Sequence, residues 1–217
     1  MFSATKIIFA PVKSYIFTNM IKGYVMNKKL YRTLSIVGVP VIYLIASALH
    51  FFYDLSNGSV LSILFSSVNE SVWEHVKIFA VGFVIWSFIE LFWAKPPFKK
   101  FITAKTLSLY FLSLAIIVFF YSYTTVVKEP ILAVDLISSF IFVALAQYIS
   151  FRLATSDNSL GDYFAVALML IMLYFVMFFS FTLFPPKIDL FKDPVTGMYG
   201  IINENVDLGA VFLDKTA

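Results

Sequence analysis

Five apolar runs of about twenty residues organise the chain: 34–52, 76–93, 106–123, 131–151 and 163–184. A helix needs about 20 residues to cross the hydrocarbon core of a bilayer, so each run has the length of a membrane span. Polar residues gather where the runs stop. Gly38 and Pro40 interrupt the first run, which membrane helices tolerate. Lys95-Pro96-Pro97 ends the second, and Lys128-Glu129-Pro130 separates the third from the fourth. A polar loop at 156–162 precedes the fifth, and Pro185-Pro186 ends it. A sixth apolar piece, 60–65, follows the turn signal Ser56-Asn57-Gly58-Ser59 and is far too short to span. The pattern predicts an all-α integral membrane protein, a bundle of about five transmembrane helices with a short interfacial or re-entrant segment near 60–67. Three regions follow: a basic N-terminal segment (1–33), a membrane domain (34–184) and a polar tail (185–217) with turn chemistry at Asp193-Pro194 and Thr196-Gly197.

Composition agrees with this reading. The 217 residues are 60% hydrophobic and 13% charged, against about 45–50% and about 25% in soluble domains. There is no cysteine, which excludes disulfides, thiolate metal sites and a cysteine nucleophile. Residues 1–33 carry six basic residues and no acid, interrupted by Pro11 and Gly23. They lack a long apolar core with a small-residue cleavage site, so no cleaved signal peptide is expected. Residues 1–25 read either as an interfacial helix, with Ile7, Ile8, Tyr15 and Ile16 toward lipid, or as an extension upstream of Met26.

The net charge of +3 orients the bundle rather than pointing to nucleic acid. Segments 1–33 and 95–105 together with Arg152 hold eleven of the sixteen basic residues. The positive-inside rule therefore predicts the N-terminus inside and the tail outside.

That topology collects the polar residues of the spans at the outer end. His50 and Asp54 lie there at the end of the first span, Glu70, Ser71, Glu74 and His75 at the start of the second, and Asp135 about one turn into the fourth. The densest stretch is Ser67-Val-Asn69-Glu70-Ser71-Val-Trp73-Glu74-His75-Val-Lys77. Ser67-x-x-Glu70 matches a capping box, so Ser67, with Asn69 in the same stretch, is expected to start the helix, and Glu70 to reach back. Trp73 is expected as a structural anchor at the interface. His50/Asp54, Glu70/Glu74 and Ser71/His75 are i,i+4 pairs that share helix faces. Imidazoles and carboxylates suit a divalent metal such as zinc, iron or manganese. The candidate ligands are His50, Asp54, Glu70, Glu74 and His75. The same groups suit acid–base work, with Glu74, His75 and Asp135 the candidate catalytic residues. Structural roles compete: Glu74 pairing with Lys77, His50 bonding the tail, Glu90 snorkelling toward the 95–100 loop. No HExxH, GxSxG, P-loop or nucleotide-binding motif is present.

The strings His50-Phe-x-Tyr53-Asp54 and Asn69-Glu70-Ser71-x-Trp73-Glu74-His75-x-Lys77 resemble the signature of a family of small bacterial multi-pass membrane proteins of unknown function. The tail residues Pro185-Pro186, Leu190-Phe191-x-Asp193-Pro194 and Tyr199-Gly200-Ile201 resemble its C-terminal pattern. The resemblance covers about 30–202. It implies a bacterial plasma-membrane protein and groups the outer residues with the tail, but implies no reaction. The three-histidine alkaline-ceramidase-like hydrolases do not fit, because this chain has two histidines and no His-x-x-x-His.

Three functions remain open on sequence. One is a metal-dependent or acid–base enzyme at the outer leaflet, acting on a lipid headgroup, a cell-envelope precursor or a peptide. Another is a non-enzymatic subunit with a protein partner. The last is a small transporter using Asp135 and Glu90, against which the lack of an internal repeat argues. The bilayer itself is the one partner common to all three.

Overall fold

A computed structural model describes residues 26–202; the expectations for 1–25 and for the end of the tail lie outside the described residues. Six α-helices follow one another: α1 (Lys28–Leu55), α2 (Val60–Phe65), α3 (Val72–Ala94), α4 (Phe98–Val127), α5 (Leu132–Thr155) and α6 (Phe164–Leu183). Short 3-10 turns stand at Leu160–Tyr163 and Asp189–Phe191. No strand forms among the described residues; a single antiparallel bridge joins Lys192 and Tyr199. Five of the helices are long and apolar enough to cross a membrane. They coincide with the five runs seen in the sequence, containing three of them whole and 131–151 and 163–184 to within one residue at either end, and α2 is the short sixth piece.

The helices form where apolar side chains can be buried or left to lipid, and polar residues set their ends. Asn27 caps α1 by accepting the Leu30 amide (2.9 Å). Ser59 caps α2 in the same way through Ser62 (3.3 Å). Lys95 ends α3 in the left-handed conformation, and Pro97 starts α4 immediately. The spans of α3 and α4 are about half buried, whereas α1, α5 and α6 turn most of their surface outward. The core runs between them, with Ile42 and Ala46 of α1 against Val76, Phe79, Ala80 and Phe83 of α3, Leu109 and Leu112 of α4, Val143 and Ala146 of α5, and Tyr174 and Phe178 of α6. Gly38 allows the closest approach. A Cβ there would lie 2.1 Å from Trp86 Nε1 and 2.4 Å from Gln147 Nε2. Glycine leaves room for Trp86 to donate to the Leu34 carbonyl (3.1 Å).

Two charges behave differently from the sequence expectation. Glu90 does not snorkel toward 95–100, and Lys105 does not belong to a basic loop. Both are buried and form an ion pair between α3 and α4. The loop is only three residues long, so Lys105 lies two turns inside α4, at the level of the Glu90 carboxylate. Ser35 donates to Glu90 Oε1 (3.2 Å), Lys105 donates to Gln147 Oε1 (2.7 Å), and the ammonium lies 4.6 Å above the Phe83 ring. A buried charge is tolerable only when paired and hydrogen-bonded, and this one is both.

Candidate functional site

The helix cap sits four residues later than the sequence suggested, and it is no capping box, because the Ser71 amide is taken by Asn69 Oδ1 and not by Glu74. Ser71, not Ser67, is the N-cap of α3, and its Oγ accepts the Glu74 amide (3.4 Å). Ser67 instead donates to the His50 carbonyl (3.3 Å). The reason is tertiary. The carboxylate of Glu74 is buried against Lys77, as the i,i+3 spacing suggested, and accepts the Val68 amide (3.2 Å) and the Thr182 hydroxyl (2.8 Å). Lys77 donates to Thr182 Oγ1 (2.9 Å) and to the Ile63 carbonyl (3.2 Å). This network joins α2, α3 and α6, and it holds Glu74 in the first turn of a helix that begins at Val72. Trp73 likewise turns inward rather than to the interface. It stacks on Phe178 (4.4 Å between ring centres) and packs on Phe191 of the tail (5.0 Å).

Glu70, left outside the helix, is free for another task. Its Oε2 lies 3.5 Å from His50 Nε2 and 3.5 Å from His75 Nε2, and the two nitrogens are 3.2 Å apart. The last turns of α1 supply His50, the first turn of α3 supplies His75, and the 66–71 loop supplies Glu70. All three side chains are partly exposed: His50 28%, His75 35%, Glu70 47%. His75 Nδ1 lies 2.9 Å from the Ser71 carbonyl. A carbonyl only accepts, so Nδ1 carries the hydrogen, and in the neutral ring Nε2 offers its lone pair to the cluster. The hydrogen bond from His50, with the charges of both imidazoles, holds the Glu70 carboxyl below its ordinary range; partial burial and the Asp193 charge oppose this.

The spacing has chemical meaning. Three atoms 3.2, 3.5 and 3.5 Å apart share a point about 2.0 Å from each, the length of a zinc–nitrogen or zinc–oxygen bond. A tetrahedron with bonds of about 2.0–2.1 Å has edges of about 3.3 Å, which these separations bracket. His75 also has the orienting partner, Nδ1–H on a carbonyl, typical of imidazole ligands.

Of the five ligand candidates, the structure brings His50, Glu70 and His75 together, the one such group among the described residues. Asp54 is exposed and stands outside it. Glu74 is engaged with Lys77, Val68 and Thr182. Asp135 accepts the Tyr123 hydroxyl (2.7 Å), which itself accepts the Ile131 amide (3.0 Å), clasping the α4–α5 connection. Asn69 ties the loop down by accepting the Ser71 amide (2.9 Å) and donating to the Gly200 carbonyl (2.7 Å). The sequence marked Asp193 as a turn residue but not as a partner of Glu70. It accepts the Glu70 amide (3.1 Å) and the amides of Val195 (2.7 Å) and Thr196 (2.9 Å). Those backbone hydrogen bonds outweigh burial, which acts first and upward, and leave its carboxyl below the ordinary range. The available signal was Asp193-Pro-Val-Thr-Gly197, an Asx-turn string.

The fold and this cluster together define a multi-pass helical membrane protein with two histidines and one carboxylate converging at one end of the bundle. The chain belongs to DUF6512, a family of unknown function, which matches residues 23–201. No curated protein and no solved structure matches it.

Proposed function

We propose that His50, Glu70 and His75 hold a single divalent metal ion, zinc by geometry, and that the protein is a membrane-embedded metal-dependent hydrolase. The observation that carries this is the near-equilateral triangle of ligand atoms at tetrahedral spacing. Structural zinc sites are closed by four protein ligands, whereas catalytic sites have three and keep a position for water. Three ligands on a partly exposed surface match the second kind. Zinc in such a site lowers the pKa of its bound water to about 7 and polarises a carbonyl or phosphoryl oxygen.

The surroundings favour a membrane-borne substrate. Phe51 lies beside His50 (5.2 Å between ring centres) and is well exposed, as are Leu55 and Leu61. In a bilayer these side chains meet acyl chains while the cluster stands at headgroup level. A lipid or lipid-linked ester or phosphoester fits both. With Lys105 and Lys77 inside the bundle, the remaining basic residues among those described still favour the Arg152 end by seven to three. The site would then face outward, and the resemblance of its motifs to those of a bacterial family supports a bacterial plasma membrane.

Metal analysis of the purified full chain tests the first half. One zinc per chain is expected, lost in His75→Ala and Glu70→Ala while helical content is retained. A wild-type protein that takes up no zinc, or ligand variants that bind it as tightly, would overturn the reading. Hydrolysis of phospholipid or lipid-linked esters in vesicles, abolished by Glu70→Ala and by chelation, tests the second half.

A further inference from the structure

The tail crosses the start of α3, and its contacts fall on the backbone that carries Glu70. Residues 190–201 form a closed loop. Asp193 and Met198 pair across it (Asp193 N to Met198 O, 2.9 Å), and the Gly197 amide returns to the Asp193 carbonyl (2.9 Å). Gly197 and Gly200 take positive φ, +73° and +76°, which non-glycine residues rarely adopt. Phe191 anchors the loop on Trp73 and Phe181. The Gly200 carbonyl accepts from Asn69, so the loop is fixed at both ends before it reaches the site.

Asp193 makes the decisive link. It is 3% exposed, and its two oxygens do different work. One organises the tail turn through Val195 and Thr196; the other accepts the amide of Glu70. Glu70 lies outside α3, so no helical hydrogen bond places it. Its backbone hangs between Asp193 on the tail and the Glu74 carboxylate, which holds Val68 two residues earlier.

We infer that the 185–201 tail is a working part of the metal site proposed above, and that Asp193 is the positioning residue that sets Glu70 as third ligand. Metal binding and tail docking are then two ends of one equilibrium. A docked tail strengthens metal binding, and bound metal must by linkage hold the tail down to the same degree. Partners outside the first ligand shell typically change metal affinity 10–100-fold.

The test uses the full chain in detergent micelles and cobalt(II), whose visible absorption is strong in tetrahedral sites. The wild type should bind one cobalt with a tetrahedral spectrum. Asp193→Ala should bind it about 10–100-fold more weakly with an altered spectrum, while Asp157→Ala, an exposed acid of the 156–162 loop, should bind as the wild type does. A companion measurement needs no variant: saturating zinc should slow hydrogen exchange at the Glu70 amide and at the amides of 195–197. Equal cobalt affinity and spectrum in Asp193→Ala would overturn the role of the tail and leave the metal site standing. If Asp193→Ala does not fold, exchange at those amides unchanged by zinc overturns it. A wild type that binds no metal overturns both readings.

Discussion

Glu70 is a carboxylate whose role is decided by backbone, not by its own chemistry. In Ser67-x-x-Glu70 it reads as a helix-capping group, and in Glu70-x-x-x-Glu74 as one of a pair on a helix face. It is neither, because the helix starts beyond it. The two histidines were legible as chemistry-bearing residues, since imidazoles at span ends stand out against Leu, Ile and Phe. Their convergence with Glu70 was not, because it depends on α1 and α3 meeting at those turns. The contact has a pH signature. The Glu70 carboxyl is depressed in the folded state by the hydrogen bond from His50. A depressed carboxyl stabilises the fold fully above its ordinary pKa, about 4.5, and that contribution disappears as pH falls through the lower folded value. The same contact raises the His50 imidazole, so in metal-free protein the gap between the thermal midpoints of wild type and Glu70→Gln should grow as pH falls from 7 toward about 5, where His50 is protonated and Glu70 still ionised. The gap should close under more acid conditions. A gap that goes on widening below about pH 4 would contradict the assignment.

At the scale of elements, the five spans were readable because membrane thickness imposes a length that composition alone reveals. The α2 segment was readable for the converse reason, being apolar but too short. The start of α3 was not, because the sequence holds two consecutive capping-box patterns, Ser67-x-x-Glu70 and Ser71-x-x-Glu74. Local rules rank them equally. What chooses is the burial of Glu74 with Lys77 and Thr182, a contact between residues 108 positions apart. The choice is measurable. Ser71→Ala removes the N-cap acceptor and should destabilise the protein by about 1 kcal/mol. Ser67→Ala removes only a long hydrogen bond to a carbonyl already inside α1, and should cost clearly less. Hydrogen exchange of the Glu74 amide should speed up in the first variant and not in the second. The reverse order would restore the register expected from the sequence.

For the whole molecule, the five long helices leave lipid to cover most of their surface, so specificity of packing must come from the few polar groups inside. Two Glu–Lys pairs provide it at opposite ends of the bundle: Glu74–Lys77 under the histidine cluster and Glu90–Lys105 toward the basic end. The second pair was invisible in the sequence. Each partner sits near a helix end, where a snorkelling side chain is the simpler reading. Only the three-residue turn between α3 and α4 brings them to one level. Buried pairs of this kind are weak sources of net stability but penalise the loss of one member, because a charge is then stranded. Glu90→Leu or Lys105→Met alone should destabilise the bundle by about 3–5 kcal/mol. The double variant replaces both charges with apolar groups of similar size and should recover most of that loss. Thermal or denaturant unfolding of the purified protein in micelles reads all three. Strict additivity of the two losses would mean that Glu90 and Lys105 do not act as a pair. Recovery would mean that the pair fixes which helices meet rather than how strongly they hold, and it would do so without touching the histidine cluster at the other end.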